Sequence, residues 1–375
     1  MIEALSALQG GGQTYLRNLL ENYCGEPGDR LIVVVPEALA CLASVDRGIE
    51  TYSPGTWNES VLARVLWLRR NFPKFLGKVN ADLLYCPGGM LSARPHGTKT
   101  VVAFRNMLPF SKLERERYPL GYMRFRLRLL QRLQSSSFRT ADLVIFVSQY
   151  AKAVIDRAVP ERKGRSIVIS HGIGEAFRIP VPRPDLLWLP KNYVLYVSIL
   201  DVYKAQVEVV EAWHLFRNRC GTDHKLVLVG PDAGPYAERV RQTIARRGLA
   251  GEIIVAGNIP HENLPSLLQH ATVNLFASSC ENCPNILLEA LAAGRPVLCS
   301  SYSPMPEFGG DAVCYFDPYR PAELATRLAD LLGDSKLRDL MGLRAVARSE
   351  VFDWKNSAQQ TWSALKVLAR LSDRN

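Results

Sequence analysis

Long apolar runs are missing from this chain of 375 residues. None reaches the roughly 18 residues that a membrane-crossing helix needs, so no spanning helix is expected. Cysteine is sparse: eight residues (24, 41, 86, 220, 280, 283, 299 and 314) spread through a long chain do not make a disulfide scaffold. They read as reduced and mostly buried in a cytoplasmic protein. Cys280 and Cys283 are the only close pair, and Cys299 and Cys314 match poorly as two further zinc ligands, so no metal centre is expected. No basic start followed by an apolar core opens the sequence, so no secretory leader is expected there. The chain has no GxGxxG turn, and no acid stands where a dinucleotide fold places its ribose partner. It lacks an RNP-type motif and an interleaved aromatic platform, which argues against a nucleic-acid partner. No DxD pair stands at a strand end to hold a divalent cation.

Negative charge is scarce in one half only. Residues 1–190 carry 26 Lys and Arg against 16 Asp and Glu, while residues 191–375 carry 20 of each. The whole net charge of +10 therefore lies in the first half. Such a length exceeds one ordinary core, and this asymmetry suggests two domains with different tasks. A basic surface suits anionic lipid or phosphorylated substrates.

What the chain does contain is a repeated rhythm. Short, continuously apolar runs alternate with helical patterns: "RLIVVVPE" (30–37), "ADLLYCP" (81–87), "KTVVAFRN" (99–106), "ADLVIFVS" (141–148) and "RSIVIS" (165–170). After the proline-rich "RIPVPRPDLLWLP" (178–190), read as a semi-rigid hinge, the rhythm restarts. It continues with "NYVLYVS" (192–198), "HKLVLVG" (224–230), "GEIIVAG" (251–257), "ATVNLFAS" (271–278), "RPVLCS" (295–300) and "DAVCYF" (311–316). Strands buried on both faces, joined by helical crossovers, make parallel sheets. The prediction is an α/β protein of two doubly wound domains, 1–185 and 186–375. A cleft between them is the default ligand site. "MIEALSAL" leaves little room for a first strand before the glycine turn, so that strand looks clipped.

Four segments carry candidate chemistry. "QGGGQTYLRNLL" (9–20) sets three glycines before an amphipathic helix, where backbone can approach an anion closely; a plain strand-to-helix turn reads the same way. "GYMRFRLRLLQRLQSSSFR" (121–139) puts Tyr122, Phe125, Leu129, Leu130 and Leu133 on one helical face and Arg124, Arg126, Arg128 and Arg132 around it. That pattern suits an anionic bilayer, or else a packed helix with a solvated basic side. Lys204 sits between a strand and a helix starting near Ala205, where a cation can meet a phosphate; a solvated lysine is the bland alternative. In "SCENCPNILLEA" (279–290), residues 284–286 should open a helix just past a strand end, with free amides for a diphosphate. Glu289 lies about one turn in, on a helix made largely buried by its leucines. A buried carboxylate wants a partner, and two vicinal ribose hydroxyls would serve. Glu281, on the loop before that helix, can face a sugar.

Glu281 and Glu289, seven residues between them, followed by "ALAAGRPVLCS" and preceded by "GNIPHENLPSLLQHATVNLFASS", resemble the donor-binding segment of the retaining glycosyltransferases of family 4. "GGGQTYLRNLL", "ADLVIFVSQYAK", "VISHGIGEAF", "LVLVGP" and "FDWKNSAQQTW" (352–362) resemble further segments of that family, so the likeness covers most of the chain. It implies a GT-B fold, two Rossmann-like domains facing a central cleft. The first domain would bind the acceptor and the second the nucleotide-sugar, with a C-terminal helix over about 354–372 crossing back to the first. Carried over by position, Glu281, Lys204 and Asn106 would be catalytic. Glu289, Pro284, Asn285, Ile286, Gly230 and Ser198 would bind the donor. Gly11, Gly12, Arg105, Ser148 and His171 would face the acceptor or a phosphate.

The chain departs from the family pattern twice. Ile199 stands where an arginine usually partners the lysine on phosphate, with Arg105 or Tyr203 as possible replacements. Arg105-Asn106 stands where His-Asp is usual, which leaves no histidine there. The implied activity is metal-free, cofactor-free transfer of a hexose, with mannose as the first candidate, from a GDP- or UDP-linked sugar. The acceptor would be a saccharide or lipid-linked, in cell-surface polysaccharide assembly, placing the protein in the cytoplasm or at the inner face of the membrane. A catalytically silent relative that binds sugar or a partner is the alternative, followed by a nucleotide-sugar epimerase.

Overall fold

The computed structural model describes residues 1–7, 10–42, 48–93 and 97–370. Gln9, which opens the glycine-rich stretch, lies outside them. Among the described residues there are thirteen strands in two all-parallel sheets. The seven-stranded sheet comprises β1 (Ile2–Glu3), β2 (Leu31–Val34), β3 (Ile49–Tyr52), β4 (Leu83–Cys86), β5 (Lys99–Phe104), β6 (Leu143–Phe146) and β7 (Arg165–Val168). Its order is β3-β2-β1-β4-β5-β6-β7. The six-stranded sheet comprises β8 (Tyr193–Val197), β9 (Lys225–Val229), β10 (Ile253–Gly257), β11 (Val273–Phe276), β12 (Val297–Ser300) and β13 (Cys314–Phe316). Its order is β10-β9-β8-β11-β12-β13.

All eleven apolar runs marked in the sequence form strands. The clipped first run still makes β1, two residues long, which pairs with β2 and β4 in the middle of its sheet. Strand β3 was not foreseen. Its sequence IETY alternates in burial instead of running apolar, as suits an edge strand paired on one side only.

Two compact units result. The first takes Met1–Phe110, Gly121–Gly172 and Trp354–Asn375; the second takes Ser111–Leu120 and Ile173–Asp353. The divide thus falls after Gly172, upstream of the expected 185. The proline-rich loop 178–190 lies inside the second unit, where Val181 N–H donates to Gln269 Oε1 (3.0 Å) and Val181 C=O meets His270 Nε2 (2.9 Å). These bonds tie it to the Leu264–His270 helix, so it is not a free hinge. The Trp354–Arg370 helix belongs to the first unit. There Trp354, Trp362 and Leu365 pack with Ile2, Val33, Tyr85 and Val101 on one face of the sheet. Trp362 Nε1 donates to the carbonyl of Leu19 (2.9 Å).

Each unit has one topological switch point, where successive connections leave a strand in opposite directions: between β1 and β4 in the first unit, between β8 and β11 in the second. Loops at the carboxyl ends of such a strand pair diverge and leave a crevice for ligands. The second core is the larger and surrounds β8 to β13.

The cysteines depart from expectation in part. All eight are free, but Cys24 and Cys41 are exposed, and only Cys86, Cys280 and Cys299 are buried. Cys24 follows a helix end and Cys41 lies in a surface 3-10 turn, where nothing covers them.

Candidate functional site

The second unit's switch point brings Lys204 and Glu281 together. After β8 the chain makes a 3-10 turn, Val202–Lys204, that ends in Ala205 at φ 55°. This left-handed residue separates the turn from the Gln206–Arg219 helix. Left-handed backbone costs an alanine about 1 kcal/mol, a strain held by the surrounding contacts. Tyr196 OH donates to the Lys204 carbonyl (2.7 Å), and Asp201 Oδ1 accepts from Val202 N–H (2.7 Å). The loop after β11 is fixed to the same turn, because Ser279 N–H and Oγ both donate to the Tyr203 carbonyl (2.8 and 3.1 Å). Lys204 Nζ donates to Glu281 Oε1 in a tight ion pair, with the two side chains only 11% and 16% exposed. The ammonium also sits 5.0 Å from the Tyr203 ring and 5.5 Å from the Phe276 ring. Tyr203 therefore lies beside Lys204. Ile199 is 42% exposed and adds no charge.

Glu289 lies on the Asn285–Ala292 helix that follows. It is buried; His261 Nε2 is 3.1 Å from its Oε1, while its Oε2 has no hydrogen-bond partner. Burial raises its carboxyl above the ordinary range, partly offset by His261. An ionised buried carboxylate with an unused oxygen is costly unless a ligand supplies donors. Sequence reasoning missed His261. Its position in the 3-10 turn His261–Asn263, within the quoted "GNIPHENLP", was the available signal.

The remaining donor-side residues have the following local contacts. Pro284 takes the N-cap position and offers no side-chain acceptor, so the helix end is not side-chain capped. The Asn285 amide donates to the Cys283 carbonyl (3.1 Å), which commits that N–H locally instead of leaving it for a diphosphate. Ile286 follows in the first helical turn, half-buried. Ser198 Oγ accepts from the buried Gln206 amide (2.8 Å). Gly230, at φ 141°, lies so close to Ser198 that a Cβ there would stand 2.1 Å from the Ser198 carbonyl oxygen. The structure thus gives Ser198 and Gly230 a packing role between two loops.

In the first unit, three expected residues gather around Tyr15. The Arg105 guanidinium lies 4.6 Å over its ring and donates through Nε to the Pro87 carbonyl (2.9 Å). Burial holds the Arg105 guanidinium below its ordinary value, opposed by Tyr85 and Tyr15. A Cβ on Gly12 would come within 4.0 Å of Arg105 Nη2. The His171 ring lies 5.4 Å from Tyr15 and stacks on Trp354 at 5.2 Å. Tyr15 OH and Tyr85 OH share a 2.5 Å hydrogen bond. Gly11 opens the Gly11–Glu21 helix.

Two residues do not join this group. Ser148 is fully buried and its Oγ accepts from Ala151 N–H (3.1 Å), so it caps the Gln149–Ala158 helix. Asn106 is exposed and its Oδ1 accepts from Leu108 N–H (3.1 Å), a local turn.

The Ser111–Leu120 segment, which belongs to the second unit, was not anticipated. Tyr118 OH donates to Asp201 Oδ1 (2.8 Å), next to the turn bearing Lys204. Buried Glu114 lies 3.5 Å from Tyr319 OH, which donates to Ser279 Oγ (2.8 Å), next to the loop bearing Glu281. Arg117 covers the Tyr319 ring at 3.5 Å. Burial raises the Glu114 carboxyl, with Ser279 and Arg117 opposing.

On the Tyr122–Thr140 helix the buried residues are Leu127, Gln134, Ser137 and Phe138. The stripe of Tyr122, Phe125, Leu129 and Leu133 is exposed, together with Arg126, Arg128 and Arg132, whereas Arg124 is half-buried. No described helix is long and apolar enough to cross a membrane. Among the described residues no three His, Cys, Asp or Glu side chains gather as metal ligands.

Two doubly wound parallel units, the second with an acid–lysine pair at its switch point, have the architecture of the GT-B class of glycosyltransferases. Residues 183–347 match the model for glycosyl transferases group 1, and residues 9–176 match that for glycosyltransferase family 4. The chain belongs to glycosyltransferase family 4. It is 26% identical to the O-antigen chain mannosyltransferase B of Escherichia coli over 252 residues, which is 65% of each chain. It is 25% identical to the serotype-specific mannosyltransferase WbdA of Escherichia coli over 268 residues, 69% of this chain and 32% of that one. These matches span about two thirds and one third of the relatives' lengths. Among solved structures, the sucrose-phosphate synthase of Thermosynechococcus elongatus superposes with a TM-score of 0.77 at 19% identity, over 98% of both chains. HepE of Anabaena, solved with UDP and glucose, superposes with 0.74 at 20% identity over 98% of both.

Proposed function

We propose that this chain is a retaining glycosyltransferase that moves a hexose, with mannose as first candidate, from a GDP- or UDP-linked donor. Its acceptor would be a saccharide or a lipid-linked one in cell-surface polysaccharide assembly. The observation that carries the reading is the buried Lys204–Glu281 pair, together with the half-satisfied Glu289 on the helix that follows Glu281. Relatives named as O-antigen mannosyltransferases supply the sugar class.

In this reading the second unit binds the donor. The two ribose hydroxyls donate to Glu289, whose second oxygen is already held by His261. Lys204 exchanges part of its bond to Glu281 for the diphosphate, and the freed Glu281 turns to the sugar. As the glycosidic bond to phosphate breaks, charge grows on the leaving diphosphate, and Lys204 with the first helical turn stabilises it. The departing phosphate takes the acceptor's proton on the same face of the sugar, which retains the anomeric configuration. Gly12, Arg105 and His171, around Tyr15, are the acceptor-side candidates. The protein works at the cytoplasmic leaflet, where a basic first unit meets anionic headgroups.

The test is nucleotide-sugar binding by calorimetry against a GDP- and UDP-sugar panel. Donor turnover and the anomeric configuration of the product, read by NMR, follow with and without a chelator. Saturable binding of one donor, chelator-insensitive transfer and a retained anomer are expected. An inverted product, or loss of transfer with the chelator, overturns the corresponding part. The exposed Ile199, in place of a phosphate-binding cation, favours a second reading, a silent relative. Nucleotide binding without turnover of any donor would select it.

A further inference from the structure

Helices that cover a sheet bury one side and present a polar side to water. Two helices of the first unit break that pattern. The Val61–Arg70 helix buries Trp67, whose ring stacks at 6.0 Å on Tyr52 of β3. The Tyr122–Thr140 helix buries Phe138, whose ring meets Phe104 of β5 edge-on at 5.2 Å. Strand register puts Tyr52 and Phe104 on one face of the sheet. Tyr52 aligns with Val34 and Val34 with Glu3; the Ile2–Tyr85 pair then sets Glu3 beside Cys86, and Cys86 aligns with Val102, two residues before Phe104. Residues two apart on a strand share a face. Both helices therefore lie in one layer, and their outer sides look away from the same sheet face. The Trp354–Arg370 helix covers the opposite face.

Those outer sides are apolar and basic. Val61 is 68% exposed, Leu62 80%, Tyr122 76% and Phe125 67%, with Leu66 and Leu129 continuing each stripe. Residues 61–80 hold five Lys and Arg and no Asp or Glu, and residues 122–140 hold another five and again no acid. Arg69, Arg70, Arg126, Arg128 and Arg132 are exposed beside the stripes. A second copy of this face would bring cations against cations, so the charge pattern does not suit self-association. It complements a surface that is apolar below and anionic above.

We propose that the paired outer sides of these two helices form one seat for an anionic lipid bilayer. The exposed leucines and aromatics enter the headgroup region, and the arginines meet lipid phosphates. This deepens the proposed function by extending the lipid contact from the Tyr122–Thr140 helix to the Val61–Arg70 helix. It also assigns the exposed apolar side chains, not only the arginines, to the contact.

The test is sedimentation of the full chain with vesicles of phosphatidylcholine alone and of phosphatidylcholine mixed with phosphatidylglycerol. Binding is expected only to the mixed vesicles and should weaken as salt is raised. Replacing Arg126, Arg128 and Arg132 by Gln one at a time should weaken it about fivefold per arginine. The charge-neutral pair L62Q/L66Q should weaken it about tenfold, although it lies on the other helix. These side chains are exposed, so unchanged circular dichroism is expected and serves as the folding control. Nucleotide-sugar binding, measured on the same variants, should not move; its absence in every variant and in the parent would count against the donor reading alone. Equal binding to both vesicle types overturns the proposal, as does unaltered binding by L62Q/L66Q. Loss of a protein complex on size exclusion, with vesicle binding unchanged, would make the face a protein interface and overturn the lipid assignment.

Discussion

Lys204 and Glu281 cancel each other's charge in a place that water barely reaches. Removing one partner strands the other, which typically costs about 3 kcal/mol. Lys204→Ala is therefore expected to lower stability by about that amount in chemical denaturation, and to lower donor turnover by about a hundredfold or more. Combining Lys204→Met with Glu281→Gln should return most of the stability and none of the turnover. Recovery of both would remove the pair from the chemistry. Glu289 predicts an opposite pairing of effects. Its carboxyl is raised by burial, so the folded state holds its proton above the ordinary carboxylate range. The folded state then binds more protons than the unfolded one in that window, and this group's contribution to stability falls as pH rises through it. Glu289→Gln is expected to raise the melting temperature of the unliganded protein at neutral pH. It should weaken nucleotide binding by about tenfold or more, since hydrogen bonds to a charged acceptor are lost. The parent should bind nucleotide more tightly as pH climbs through the Glu289 ionisation, and the variant should not.

Among elements, the Ser111–Leu120 segment matters because its side chains reach both loops that hold the pair. Tyr118→Phe removes the bond to Asp201 and should cost about 1 kcal/mol, with a melting temperature lower by only a few degrees. Donor turnover should fall severalfold, because the turn bearing Lys204 loses one of its restraints; an unaltered rate would show that the segment only packs. The element scale also shows what the sequence could and could not reveal. Strands buried on both faces announce themselves, as "YVLYV" and "LVIF" do. The edge strand Ile49–Tyr52 does not, since only Ile49 of its four residues is buried. The burial of Glu289 was legible from Leu287, Leu288 and Leu291 around it, but its partner His261 was not, because a histidine in a polar loop reads as solvated. On the Tyr122–Thr140 helix the apolar stripe left two readings open, a lipid contact or a packed face; Phe125 is exposed while Gln134 and Ser137 are buried, so the stripe is not the packed face. The Ser111–Leu120 segment was invisible for a different reason. Chain continuity assigns it to the first half, and only long-range contacts such as Tyr118 to Asp201 reassign it.

For the whole molecule, the proposed function divides labour along the charge asymmetry, with the donor-side candidates in the second unit. Nucleotide-sugar binding should slow amide exchange around Val202–Gln206, residues 279–289 and His261–Asn263, with little change along the Trp354–Arg370 helix. Protection confined to the first unit would contradict the donor assignment. Trp362→Phe should destabilise the first unit by about 1–2 kcal/mol, because the Leu19 carbonyl loses its donor in a buried setting. Donor affinity should be nearly unchanged. The same helix has a consequence for biosynthesis. The ribosome releases residues 1–172 long before Trp354, so one side of the nascent seven-stranded sheet is covered only in part, by the Gly11–Glu21 helix, while the second unit is completed. The part made first is thus finished last, and during that interval its uncovered tyrosines and valines are what a nascent-chain chaperone would grip.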